Sequence, residues 1–333
     1  MIVMNGNWKS MAVAMALAVG AFGCGDDDGD GTTPTEDMGT GGTDMEVPAG
    51  GFPGTTPAGL PAYALGEGVS GTMAMTTSAA DYSCAGSRTA PAGGADATFT
   101  MEIREFRGGT AVEGLCVKFF PDNVVDLGAD CDPGSDFVTD ASGNISVTAP
   151  AGGWYSYRVF PSASDEIVDS FQINELAPAD GGTNDGISVA ESTLRLIPAV
   201  LGVQAATGTT LVAGTAQDCN GEPVYGAIAA IYREDGTFIA EAGGNTSPKY
   251  RFFDGDGTPS TAQRWTHVDG LFGGINMPVD AGGENLLVEL WGMNDAGELE
   301  VIGCETVPAA PDAVAIVNVG PLRADGPTCP GMN

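Results

Sequence analysis

Histidine is all but missing from this chain: His267 stands alone among 333 residues. Any mechanism that needs two imidazoles is thereby excluded, a paired-His metal site among them. Basic residues are scarce as well, with 12 Lys and Arg against 44 Asp and Glu and a net charge of −32 at pH 7. A field of that sign repels phosphate backbones and anionic headgroups, and no basic stripe interrupts it. Nucleic acid is excluded as a partner. The seven cysteines include no CxxC pair, so zinc lacks both its usual sulfur spacing and its nitrogen ligands. The apolar run at residues 11–23 falls short of the roughly 20 residues that span a hydrocarbon core. Helix-forming runs are few, whereas 51 Gly and 21 Pro supply turns in abundance. An all-β chain is what these absences leave.

Lys9 is the only basic residue ahead of the apolar run, which ends in Ala21-Phe22-Gly23 and meets Cys24 and the acidic stretch Gly25-Asp26-Asp27-Asp28-Gly29-Asp30. A short apolar segment closed by small residues reads as a cleaved export signal. The junction resembles the lipobox of bacterial lipoproteins. That resemblance implies removal of residues 1–23 and a lipid on the Cys24 thiol, which ties the mature protein to a membrane. The alternative is an ordinary signal peptide with Cys24 incidental. Gly25, where Asp would mark inner-membrane retention, implies an outer-membrane destination, on the periplasmic face or the cell surface. Loss of Lys9 leaves a mature net charge of about −33.

Residues 24–58 are Gly, Thr, Pro, Asp and Glu with little that can pack, and burial there cannot offset the entropy of ordering. This is expected to be a disordered acidic linker of roughly 30–35 Å root-mean-square span. Eight acids and no base lie between Asp26 and Glu46. Asp26, Asp28, Asp30, Gly31 and Asp37 match spacings of a calcium loop, but Pro34 falls inside and no helical pattern flanks them. A solvated spacer is the favoured reading.

The remainder carries a two-fold internal repeat. Arg107-Gly108-Gly109-Thr110-Ala111-Val112-Glu113-Gly114-Leu115 aligns with Cys219-Asn220-Gly221-Glu222-Pro223-Val224-Tyr225-Gly226-Ala227, and Thr139-Asp140-Ala141-Ser142-Gly143 with Thr266-His267-Val268-Asp269-Gly270. The offset grows between these blocks, which places an insertion of about 15 residues within Gly243 to Arg264 of the second copy. Alternation in Ser146-Val147-Thr148 and Val288-Glu289-Leu290 predicts strands with one buried and one wet face. Ser192 to Gly202 predicts a short helix or extended connector, with Ser192 as N-cap and Pro198 limiting its length.

The stretch Val212 to Ala227 with Asp269-Gly270-Leu271-Phe272 resembles a carboxypeptidase regulatory-like domain. That resemblance implies a seven-stranded transthyretin-like sandwich. The expected architecture is therefore two tandem antiparallel β-sandwich domains, transthyretin-like or Ig-like, at 59–202 and 203–325, with a C-terminal tail at 326–333.

Six cysteines beyond Cys24, an even set in an exported chain, favour disulfides: Cys84, Cys116, Cys131, Cys219, Cys304 and Cys329. Fifteen pairings are possible for six cysteines. Sequence proximity favours Cys116 with Cys131, and a shared domain favours Cys219 with Cys304, which leaves Cys84 for Cys329.

Candidate chemistry is thin. A Ser-His-Asp mechanism would have to use His267 with Asp269, yet the repeat places His267 in a turn leading into a strand. Trp154, Trp265 and Trp291 with Tyr155, Tyr157, Tyr232 and Tyr250 could stack on sugars if exposed together, and otherwise fill a core. Asp254-Gly255-Asp256-Gly257 makes Asp254 and Asp256 weak calcium candidates, as is Glu234-Asp235-Gly236; hairpin turns use the same residues. No cofactor is implied. The leading expectation is a non-enzymatic, lipid-anchored envelope protein with an envelope protein or polysaccharide as partner. An exported enzyme or enzyme-accessory module, with chemistry in the insertion, and a calcium-dependent adhesin are the alternatives.

Overall fold

Among the described residues, sixteen strands arise where β-branched and aromatic residues alternate between Gly- and Asp-marked turns. The computed structural model of the chain describes residues 80–254, 259–261, 263–293 and 299–332. Cys24, the leader, the acidic linker and Asp256 lie outside them. The first repeat supplies β1 (Asp96–Glu105), β2 (Cys116–Phe120), β3 (Phe137–Val138), β4 (Asn144–Pro150), β5 (Trp154–Val159), β6 (Ile167–Val168), β7 (Ser170–Leu176) and β8 (Thr183–Ala190). Helix α1 (Glu191–Val200) follows. The second repeat supplies β9 (Thr209–Ala216), β10 (Ile228–Tyr232), β11 (Lys249–Phe253), β12 (Pro259–Ser260), β13 (Leu271–Pro278), β14 (Glu284–Met293), β15 (Leu299–Ala309) and β16 (Val314–Val319).

The duplication is visible in the pairing. In the first unit the sheet order β4-β1-β8-β6 has β1 and β8 parallel; in the second, β13-β9-β16 has β9 and β16 parallel. The facing sheets match likewise, β2-β5-β7 in one unit and β10-β14-β15 in the other. The insertion becomes β11 and β12, which extend the sheet beyond β13.

Strands from both sides of position 202 share one sheet. Its nine strands run β12-β11-β13-β9-β16-β7-β5-β2-β3, and the two units join where β16 lies parallel to β7, Val314 opposite Ser170 and Val317 opposite Ile173. The pairings are otherwise antiparallel as expected, but three among the described residues are parallel: β1–β8, β7–β16 and β9–β16. Parallel neighbours cannot be joined by a tight hairpin, so each of these pairs is distant in sequence.

The β16 sequence explains its central place. Val314-Ala315-Ile316-Val317-Asn318-Val319 is buried at all positions but Asn318, the continuous apolar run of a strand covered on both faces. Ala315, Val317 and Val319 pack toward the three-stranded sheet with Phe171, Val288 and Leu290. Val314 and Ile316 face the other way, against Phe106, Leu211 and Leu194 and Ile197 of α1. A separate core fills the first unit, with Phe99, Met101 and Ile103 of β1 against Tyr155, Tyr157 and Val159 of β5.

On β4 the expected alternation holds, with Ile145, Val147 and Ala149 buried and Ser146 and Thr148 exposed. On β14 it does not: Leu286, Val288 and Leu290 are buried, but so is Glu289, at 0% exposure. The side expected to be wet is covered by the segment after β16, which ends in a 3₁₀ turn at Pro330–Met332.

Residues 191–200 are helical, and the N-cap position is Ala190 without a side-chain cap, rather than Ser192. The helix is tied instead by Thr193, whose hydroxyl donates to Glu105 Oε1 at 3.1 Å. Pro198 lies in its last turn, and Gly202, at φ +67°, closes it as Val203 N–H donates to Pro198 O at 2.8 Å. No helix among the described residues is long and apolar enough to cross a membrane.

Candidate functional site

The chain's described start is bound to the second unit. Cys219 N–H donates to Asp81 O at 2.8 Å and Asp81 N–H donates to Asp218 Oδ2 at 3.0 Å. Tyr82 packs on the second unit's core. Cys84 and Cys219 are thereby brought together and form a disulfide across 135 residues. This corrects the expected pairing of Cys219 with Cys304 and of Cys84 with Cys329. Cys116 and Cys131 form the second disulfide. Cys304 and Cys329 are buried thiols.

A polar seam joins this segment to both units. Trp154, at the start of β5, carries Arg323 at 4.8 Å and Arg88 at 5.8 Å from its ring centroid. Arg323 also grips Glu305 in a two-point pair, Nε to Oε1 at 2.9 Å and Nη2 to Oε2 at 3.0 Å. A planar guanidinium suits both tasks, the fork to the carboxylate and the face to the indole. Burial pushes the Glu305 carboxyl above its ordinary range, and its contact with Arg323 offsets part of that. Two of the chain's 12 basic residues are thus spent on internal pairing and aromatic contact.

At the junction of the units, Glu175 of β7 lies opposite Tyr155 of β5. Its Oε1 is buried without a hydrogen-bond partner, and burial pushes its carboxyl up to about 8. Tyr155 and Tyr157 lie beside it, their hydroxyls accepting from Asn184 Nδ2 and Ile187 N–H, both at 2.6 Å. A protonated carboxyl in an apolar wall can act as an acid only where substrate reaches it. Here it is buried, opposite Tyr155 of β5.

The remaining sequence candidates are placed as follows. His267 is in a turn, its carbonyl accepting from Gly270 N–H at 2.9 Å, with its ring 5.1 Å from that of Tyr225. Its Nδ1 and the Oδ2 of Asp269 are buried without hydrogen-bond partners, and burial raises the Asp269 carboxyl. Of the seven aromatics that could have formed a sugar platform, only Trp154 is partly exposed; Tyr155, Tyr157, Tyr232, Tyr250, Trp265 and Trp291 are core residues. Asp254 follows β11, which lies between β12 and β13 in the nine-stranded sheet. No group of three or more His, Cys, Asp or Glu placed to hold a metal occurs among the described residues. A cavity of about 30 Å³ under α1, lined by Phe106, Leu194, Ile197, Leu211 and Phe253, has room for a water or two.

Missed by sequence reading were the Arg88–Trp154–Arg323 seam and the buried Glu175 and Glu289. A signal existed for the first alone: Arg323 is a lone cation in the last segment of a very acidic chain.

No protein-family model and no curated protein matches the chain. Among solved structures it is similar to a streptococcal ancillary pilin, at 13% identity and a TM-score of 0.20, covering 68% of this chain and 62% of that one. A shaft pilin from Lactobacillus rhamnosus GG is similar at 12% identity and a TM-score of 0.21, over 68% and 98% of the two chains. The major pilin subunit of Bacillus cereus gives 9%, 0.19, and coverages of 67% and 70%. The chain spans 62% of the length of the ancillary pilin. At such values the fold rests on the strand pairings themselves, and these define a duplicated β-sandwich protein.

Proposed function

We propose that this is a lipid-anchored protein of the cell envelope whose two joined sandwiches serve as a binding or structural module without catalysis. The observation that supports it most is the nine-stranded sheet continuous through both units, stapled by Cys84–Cys219 to the start of the described chain. Groups that often carry chemistry have internal duties here. Arg323 holds Glu305 and Trp154, and the insertion's Tyr250 and Phe252, with Trp265 just after it, fill the second core. In this reading Cys24 bears the lipid, the acidic linker is a spacer, and the module stands at the outer membrane, on its periplasmic face or on the surface. The two units are carboxypeptidase regulatory-like sandwiches, and the partner is an envelope protein or polysaccharide.

Fractionation of cells making the wild-type chain or Cys24→Ser tests the anchor. The wild type should partition with membranes and yield a lipid-modified Cys24 peptide by mass spectrometry, and the variant should move to the soluble fraction. A variant that stays membrane-bound would sink the anchor. Affinity capture from envelopes with the mature protein should retain a stoichiometric partner, whereas turnover of peptide or polysaccharide by the purified protein would overturn the non-catalytic reading.

A further inference from the structure

We propose that Cys304 and Cys329 are the two halves of a third disulfide, which locks the C-terminal segment over the outer face of the three-stranded sheet. Both are buried, at 3% and 2% exposure, and the Cys329 thiol, which donates to Pro327 O at 3.7 Å, lies close enough to the Cys304 thiol to disfavour its ionisation. The other four described cysteines are already bonded to one another, which leaves these two, among the described residues, for each other.

The meeting of the two sulfurs follows from how the last segment is seated. Cys304 on β15 stands directly opposite Glu289 on β14, so both side chains project to the same side of the sheet. After β16 the chain returns across that region. Leu322 N–H donates to Ile302 O at 3.0 Å, and Arg323 pairs with Glu305. Gly331 N–H then donates to both oxygens of Glu289, at 3.0 and 3.3 Å. Gly331 has no room for a side chain: a Cβ there would lie 2.3 Å from Glu289 Oε1 and 2.3 Å from the Trp291 ring. Cys329 is held between these fixed points.

Contact with the Cys329 thiol and burial push the Cys304 thiol up, so once docked Cys304 is a poor source of thiolate. The bond therefore forms as the segment docks, by exchange with a disulfide-bearing oxidant of the exported compartment. The Cys329 thiolate attacks one sulfur of the oxidant's disulfide, making a mixed disulfide and releasing one thiolate. The Cys304 thiolate attacks Cys329 Sγ, making the Cys304–Cys329 bond and releasing the second. Two cysteine thiols give up two electrons and two protons, and the oxidant leaves as two thiols.

The test is alkylation of the exported full-length protein in denaturant without reductant, followed by peptide mapping. A cross-linked peptide pair carrying Cys304 and Cys329, with neither alkylated, is expected. Alkylation of both, or a bond from either to another cysteine, overturns the proposal. Purified reduced protein refolded with oxidised glutathione should form the same bond. Failure there overturns the pair itself, independently of where the protein resides. In Cys304→Ser and in Cys329→Ser, which keep Gly331 on Glu289, hydrogen exchange at the Gly331 amide should rise roughly tenfold or more over the oxidised wild type. Unchanged exchange in both would remove the locking role.

Discussion

Thr139 and Thr266 make the same hydrogen bonds in the two halves of the chain. The Thr139 hydroxyl donates to Val112 O at 2.7 Å and accepts from Leu115 N–H at 2.9 Å. The Thr266 hydroxyl donates to Val224 O at 2.6 Å and accepts from Ala227 N–H at 2.9 Å. Their backbones repeat the match: each carbonyl accepts from the glycine, Gly114 or Gly226, at 2.9 and 2.8 Å, and each N–H donates to the next residue's carbonyl at 3.0 and 2.8 Å. Both glycines have φ +83°, where a side chain is strained. Each threonine pins the bend leading into β2 or β10.

Thr266→Val leaves a buried backbone N–H and C=O without their partner, and should destabilise the fold by about 1–3 kcal/mol. Thr139→Val should do the same, and Thr266→Ser should recover most of the loss. Denaturant midpoints measured on the three variants check this. A valine variant as stable as the wild type would contradict it.

Cys84→Ser removes a cross-link between residues 135 apart in sequence, for a loss of about 2–4 kcal/mol. Because Asp81, Tyr82 and Cys84 dock together, limited proteolysis should newly cut the segment near Arg88. Resistance equal to that of the wild type would show that the docking contacts suffice alone.

Glu175 makes stability depend on pH in the sense opposite to a paired carboxylate. Its folded value is raised from 4.5 to about 8, so between these limits the folded state keeps a proton that the unfolded chain has released. The contribution is full below 4.5 and is lost as pH rises toward 8. Relative to Glu175→Gln, the wild type should weaken by a few kcal/mol from about pH 5 to about pH 8.5. Parallel curves for the two proteins would refute the assignment.

Arg323→Ala strands the buried Glu305 and uncovers one face of Trp154. The expected cost is about 3–5 kcal/mol, with some returned by Arg323→Ala combined with Glu305→Gln. Thermal unfolding of these two variants and of Glu305→Gln alone decides it, and strictly additive losses would sever the link.

Much of this architecture was open to a reader of the sequence because the repeat is written in residues with local duties. Thr139-Asp140 and Thr266-His267, the bend glycines, and the insertion that becomes β11 and β12 are all such signals. Helix α1 and the Cys116–Cys131 bridge were also within reach of short-range reasoning. The rest depends on contacts between residues far apart in the chain. Nothing near Cys219 announces that residues 81–84 will dock beside it, and Val288-Glu289-Leu290 alternates like a half-wet strand until Gly331 covers Glu289. The run Val314 to Val319 did carry a signal, since continuous burial implies neighbours on both faces, but it does not name β7 as one of them.

The bond between Cys84 and Cys219 has a mechanical consequence. Every strand of the first sandwich, and helix α1, lies inside the covalent loop that it closes. Tension applied to the chain ahead of residue 84 passes through the two sulfurs into the second sandwich, and the first hangs from the line as a slack bight. However hard the leading end is pulled, β1 to β8 are spared stretching for as long as that bond stays oxidised.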